Sequence, residues 1–152
     1  VTYTTADARQ HLLDTLAGAV GELAVALSAL GEAYEALDEH KADELEERLF
    51  RPLQSAYGRA RRTHSEFAQR HALPTRTFDA APAGAPSHGA KGFVTEAGEA
   101  VARAEQQLSS LQDSMLPVEV GDPELRAGLR EVRQQLAPLP AGARDFLRTF
   151  GR

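Results

Sequence analysis

The sequence contains no cysteine and no tryptophan, one methionine and only 6% aromatic residues. Without cysteine there is no disulfide framework, no thiolate zinc site and no cysteine nucleophile. A thiol-free chain folds in either redox setting, so this absence assigns no compartment. So few aromatics leave little from which to build stacking platforms for single-stranded nucleic acid. Uninterrupted apolar runs are missing too. The longest apolar stretch holds Asp14 and Glu22, and nothing approaches the roughly 18 consecutive apolar residues of a spanning helix. No basic segment precedes an apolar run at the N-terminus, so no secretory leader is expected and the default location is cytoplasmic.

What the chain does contain is charge of both signs with a modest acidic excess: 22 Asp and Glu against 17 Lys and Arg, a formal net charge of −5. That balance favours solubility and repels phosphate backbones at long range, which argues against nucleic acid and anionic membranes as partners. A length of 152 residues fits one domain. A domain of this size buries about 70% of its unfolded surface without staples.

Apolar spacing is the strongest signal. In the first segment it runs Leu13, Leu16, Val20, Leu23, Leu27, Leu30, Tyr34, Leu37, in steps of three and four. That is the seam of a helix in left-handed, bundle-like contact. Thr4 and Thr5 can cap its start, with Asp7 favourable in the first turn. Ala17, Gly21 and Ala24 flank the seam, where small residues let a neighbour approach. Glycines at 18, 21 and 31 each cost about 1 kcal/mol in a helix, so a packing role is expected of them.

The second seam reads Ala42, Leu45, Leu49, Leu53, Ala56, Ala60, Thr63, Phe67, with a phase slip where Pro52 sits. A mid-helix proline removes one backbone hydrogen bond and kinks the helix. The first turn is expected near residues 38–41, where the seam jumps from Leu37 to Ala42. The rival placement is one long helix to Phe50 with Pro52 opening the next. Leu73-Pro74 ends the second helix, and residues 74–92, rich in Ala, Pro and Gly, read as a loop. At about 3.1 Å per residue when extended, that loop is long enough for an overhand crossover.

The third seam is Val94, Ala97, Val101, Ala104, Leu108, Leu111, Met115, stopped by Pro117. Asp122-Pro123-Glu124 then supplies an N-cap, a proline at the first helical position and an acid in the first turn. The fourth seam, Leu125, Leu129, Val132, Leu136, Leu139, Ala143, Phe146, Phe150, keeps phase across Pro138 and Pro140, where a bend is expected. The expected fold is all-α: an antiparallel four-helix bundle with helices near 5–37, 42–72, 93–116 and 123–150.

Candidate chemistry is sparse. Metal-binding bundles put Glu and His on core-facing positions, whereas the first, third and fourth seams are apolar apart from Tyr34, and no Glu-x-x-His occurs. His11 with His40 and Glu44 resembles the first part of the hemerythrin-like cation-binding pattern, a His on the first helix and a His-x-x-x-Glu on the second. The resemblance implies a bundle that holds a cation with those three residues as ligands. Its later half is missing, because no histidine follows His88. The other reading makes His40 a solvated turn residue within the acidic cluster Glu35, Asp38, Glu39, Asp43, Glu44, Glu46 and Glu47.

His64 and His71 lie two helical turns apart, about 10.5 Å, which is a poor span for one ion bound at ~2.1 Å. His64-Ser65-Glu66 resembles the His-x-Glu of zinc deaminases, whose chemistry also needs a Cys-x-x-Cys. Ser87-His88 suggests a nucleophile and base, but the Gly-x-Ser-x-Gly elbow is absent, as are the Walker and dinucleotide loops. Two arginine groupings remain, Arg59, Arg61, Arg62 and Arg126, Arg130, Arg133. Arginines so spaced grip phosphate or an acidic partner, or else pair with Glu124, Glu131 and neighbouring acids at ~0.2–1 kcal/mol each.

No catalytic, cofactor-binding or metal-ligating residue is assigned, and no cofactor is expected. The expected function is that of a non-enzymatic bundle binding another protein or a second copy of itself as a homodimer, since heptad seams serve both kinds of packing. The alternatives are a cation-binding bundle using His11, His40 and Glu44, and a bundle with an apolar ligand pocket left by the small residues beside its seams.

Overall fold

The computed structural model describes residues 4–82 and 89–150, and among these every regular element is helical. Helix α1 (Thr5–Ala36) begins at Thr4, whose hydroxyl accepts from the Asp7 N–H at 3.1 Å. It ends where Leu37 turns extended and Asp38 caps α2 (Glu39–Leu45), the Asp38 carboxylate accepting from the Lys41 N–H at 2.9 Å. The first turn is therefore at Leu37–Asp38, and the rival placement at Pro52 is excluded.

Helical backbone then continues through a π-turn (Glu46–Phe50) into α3 (Arg51–Arg70). Pro52 has no N–H to give and its ring crowds the carbonyl one turn back. The wider π-turn just before it absorbs both problems with one extra residue. This explains the phase slip: Leu45, Leu49 and Leu53 stay buried although they are spaced four and four. Ala72 turns back in the left-handed region (φ 54°), where the Leu73 N–H donates to the Ala68 carbonyl at 2.8 Å, and residues 73–82 are not helical.

Helix α4 (Gly89–Asp113) starts earlier than expected and ends earlier. Its last seam residue, Met115, lies beyond the helix in the left-handed region (φ 68°) and is 50% exposed. The short α5 (Leu116–Glu119) leads to α6 (Pro123–Leu136), which Asp122 caps by accepting from the Leu125 N–H at 2.7 Å. Only Ala137 and Pro138 separate α6 from α7 (Leu139–Arg148), and the fourth seam stays buried from Leu125 to Phe146.

The face that α1 buries is rotated from the expected seam. Leu13, Leu16, Val20, Leu23 and Leu30 are shared, but Leu12, Ala19, Ala26 and Ala33 are also buried, whereas Tyr34 is 38% exposed and Leu27 and Leu37 are half-buried. The reason is that α1 packs on both α3 and α4. A helix between two neighbours buries two adjacent stripes, and alanine fits wherever the axes come close. By length and composition α1 is also apolar enough to cross a membrane, although no uninterrupted run marks it; 56% of that 18-residue window is buried in the fold.

The expected packing role of the α1 glycines is not found. A Cβ at Gly21 or Gly31 would meet nothing within 4 Å, and one at Gly18 would only reach Gln107 at 3.9 Å. The close approaches lie elsewhere. Gly128 is pressed on the Thr63 side chain, a Cβ at Gly98 would stand 3.3 Å from the Ala143 Cβ, and one at Gly142 would stand 3.3 Å from Leu49. Around Gly98 and Ala143, the void between Leu30, Leu49, Leu53, Val101 and Leu139 is only about 10 Å³, no more than one water's space.

Candidate functional site

The structure does not bring the hemerythrin-like residues together. His11 lies in the second turn of α1 and His40 in the first turn of α2. The helix between them spans about 38 Å at 1.5 Å per residue. Glu44 is engaged by Arg48 at 3.0 Å and Lys41 at 3.5 Å. Burial pushes the Glu44 carboxyl up, but hydrogen bonds and charge from Arg48 and Lys41 outweigh this and hold it below the ordinary carboxylate range. Among the described residues no three His, Asp or Glu side chains cluster as a metal site. For the apolar-pocket alternative, the interior void is too small for a ligand, but a cleft of about 270 Å³ lies between α4 and α7, with Val94, Gly98, Ala102, Ala143 and Leu147 in its lining.

His64 and His71 face different surroundings. His71 Nε2 lies 2.8 Å from Asp122 Oδ2. Arg70 grips the same carboxylate in bidentate fashion, at 2.8 and 2.7 Å. Burial raises the Asp122 pKa, but the bonds from Arg70, the Leu125 N–H and His71 more than reverse it and lower it to about 2. This clamp joins the end of α3 to the start of α6. Asp122 was legible as a cap, but nothing in the sequence announced its partners. His64 is buried, and its ring meets Phe78 edge-on at 5.0 Å between centroids. Burial, with the Arg76 charge, pushes its imidazole below the ordinary 6.5, and Asp14 pulls weakly the other way. Ser87-His88 lies outside the described residues.

Two surface grooves carry the remaining chemistry. The first sits at the α1–α2 end and is lined by Gly31, Tyr34, Glu35, Glu46 and Phe50, with a volume of about 350 Å³. Gly31 gives it a bare floor, since a Cβ there would meet nothing. Tyr34, on the predicted seam, forms a wall instead, because the core rotates away from it toward Ala33. Phe50 closes the π-turn. Glu35 and Glu46 bring carboxylates to it, Glu46 with Arg51 at 4.0 Å, and Asp38, Glu39, Asp43 and Glu47 are exposed nearby.

The second groove lies between α3 and residues 76–78, and measures about 410 Å³. Gly58, Arg61, Arg62 and Ser65 come from α3; Arg76, Thr77 and Phe78 come from the segment that follows it. That segment is held to α3 by Phe78 on His64 and to α1 by the Ser28 hydroxyl, which donates to the Ala81 carbonyl. The Arg61 guanidinium lies over the Tyr57 ring at 5.2 Å, and that of Arg76 over the Phe78 ring at 5.0 Å.

The two arginine groupings of the sequence thus part company. Arg59 pairs with Glu131 at 2.7 Å, Arg133 with Glu105 at 2.9 Å, and Arg126 reaches the Pro117 carbonyl at 3.5 Å. Arg61 and Arg62 line the groove with no carboxylate of the described residues in ion-pair range. No family model, curated protein or solved structure matches this chain. Arg76 was missed by sequence reading because it lies in a loop with no periodicity to attach it to α3.

Proposed function

We propose that the protein is a non-enzymatic, antiparallel four-helix bundle that acts by docking a basic, amphipathic segment of another protein in the groove at its α1–α2 end. Residue pairings support the bundle. Stepping from Glu22 back to Gly18 on α1 moves forward from Arg103 to Gln107 on α4. Ser55, Arg59, Thr63 and Arg70 on α3 meet Gln135, Glu131, Gly128 and Asp122 in reverse order. Gly98 and Glu105 on α4 meet Ala143 and Arg133. By these pairings α3 and α4 run the same way, so their connection has to travel the length of the bundle. The contact of Ala81 with Ser28 on α1 supports such an overhand path.

The observation that carries the docking reading is Tyr34, 38% exposed above a glycine-floored groove beside Phe50, with carboxylates on its rim. Tyrosine is among the residues enriched at the energetic centres of interfaces. Acidic rims select basic partners and speed their encounter. A helix presenting apolar and basic residues on one face has the complementary chemistry.

The test uses Gly31→Leu, whose Cβ meets nothing within 4 Å and whose remaining side chain extends into the groove. Calorimetric titration with a basic amphipathic helical peptide is expected to give binding that Gly31→Leu and Tyr34→Ala abolish while thermal unfolding is unimpaired. Sedimentation velocity on the same proteins reads self-association through this groove. Absence of both peptide binding and self-association in the parent protein contradicts the reading.

A further inference from the structure

We infer that the groove formed by Arg61, Arg62 and Arg76 is a binding site for a phosphate monoester carried on a small molecule. Three guanidinium groups line one concavity, and no carboxylate of the described residues comes within ion-pair distance of them. Such cations repel one another, and an anion placed among them relieves that repulsion. Arg59, one turn from Thr63 on the same helix, shows the contrast: it has its own acid in Glu131 at 2.7 Å.

Two of the guanidiniums are also held against aromatic rings. Arg61 lies over Tyr57 and Arg76 over Phe78, at 5.2 and 5.0 Å from the ring centroids. Such a cation–π contact takes up no N–H donor, so the donors of both groups stay available to an anion. Arg62 lies across the open side of Gly58, its Nη1 3.5 Å from where a Cβ would stand. Ser65 and Thr77 add hydroxyl donors to the same lining.

Charge count and size select the ligand. A carboxylate is matched by one guanidinium and would leave two unanswered. A phosphate monoester carries about −1.5 to −2 at pH 7 and three acceptor oxygens, enough to engage all three. The volume of about 410 Å³ falls within the roughly 300–1,000 Å³ of small-molecule sites. A long polyanion is opposed by the net charge of −5 on the chain around the groove. The Phe78 ring in the lining offers an apolar surface to the organic part of an ester.

The experiment is a titration of the full chain with inorganic phosphate and with phenyl phosphate, read by calorimetry and by phosphorus NMR line width, in the parent protein and in Arg61→Gln, Arg62→Gln, Arg76→Gln and Arg130→Gln. All four residues are exposed, so the variants are expected to fold. Each groove variant is expected to weaken binding about tenfold, the loss of one charge-assisted contact. Arg130→Gln, away from the groove, leaves binding unchanged. Tighter binding of phenyl phosphate than of phosphate supports the organic ester. Equal binding of the two overturns that assignment in favour of a bare phosphate site. No binding at millimolar ligand, or equal loss in Arg130→Gln, overturns the site itself.

Discussion

The two grooves share one construction detail and differ in almost everything else. Each has a glycine in its lining, Gly31 in one and Gly58 in the other, and each measures a few hundred cubic ångströms. The α1–α2 groove is acidic and every residue in it belongs to a helix or to the π-turn. The second groove is basic and has one wall on α3 and the other on a non-helical segment. The lesson is one of dependence. The acidic groove persists as long as the helices do, whereas the basic groove also needs the non-helical segment to stay docked through Phe78 on His64 and Ala81 on Ser28.

Breaking the Phe78 contact is the largest test of the difference. Phe78→Ala is expected to cost about 2–3 kcal/mol, below the full range for a core phenylalanine because Phe78 is only half-buried. Urea unfolding measures the cost. Hydrogen exchange is expected to speed up in residues 73–82 and to stay slow around Tyr34.

A somewhat smaller effect is expected at the clamp that ends α3. Asp122→Ala removes the partner of Arg70 and His71 and the cap of α6, for about 2 kcal/mol. The same carboxylate gives an acid signature. Its folded pKa of about 2 lies below the ordinary 3.8. The unfolded chain therefore takes up its proton first, and the stabilisation, complete above pH 3.8, is lost as pH falls toward 2. The acid limb of a pH–stability curve should flatten in the variant.

Smaller again is the contribution of His64. Its folded pKa lies below 6.5, so below that pH the unfolded state binds the proton that the fold refuses. Stability is complete above pH 6.5 and falls as pH drops from there toward the depressed folded value. His64 faces Phe78, Arg76 and Asp14, so this loss is expected to loosen the basic groove before the acidic one. Urea midpoints of the parent protein and of His64→Leu across this range should differ in slope.

The smallest change in stability is expected from Gly58→Leu, the counterpart of Gly31→Leu. Replacing an exposed or half-exposed helical glycine gains about 0.5–1 kcal/mol in helix propensity. Gly58→Leu should fill the basic groove and leave peptide docking at Tyr34 intact.

The parts of this molecule that are periodic were legible. The all-α class, the second seam with its proline slip, the Asp122 cap and the burial of Leu125 through Phe146 follow from spacing and capping chemistry. Alanine defeated the reading of α1. Ala19, Ala26 and Ala33 carry little hydrophobic signal, yet they set the rotation that leaves Tyr34 outside. The same glycines that spacing assigned to packing lie in the open, because a missing side chain marks a close neighbour and an empty groove alike. The basic groove was half legible. Arg61 and Arg62 stood out as a cluster, but Arg76 joins them through the Phe78–His64 and Ser28–Ala81 contacts, which no period encodes.

The most direct test of two separate grooves is amide chemical-shift mapping of one labelled sample, first with phenyl phosphate and then with the basic amphipathic peptide. The account predicts two disjoint sets of perturbed amides, one at Gly58, Arg61, Arg62, Ser65, Arg76, Thr77 and Phe78, the other at Gly31, Tyr34, Glu35, Glu46 and Phe50. Perturbations that coincide, or that scatter over the exposed charges of both ends, would contradict it.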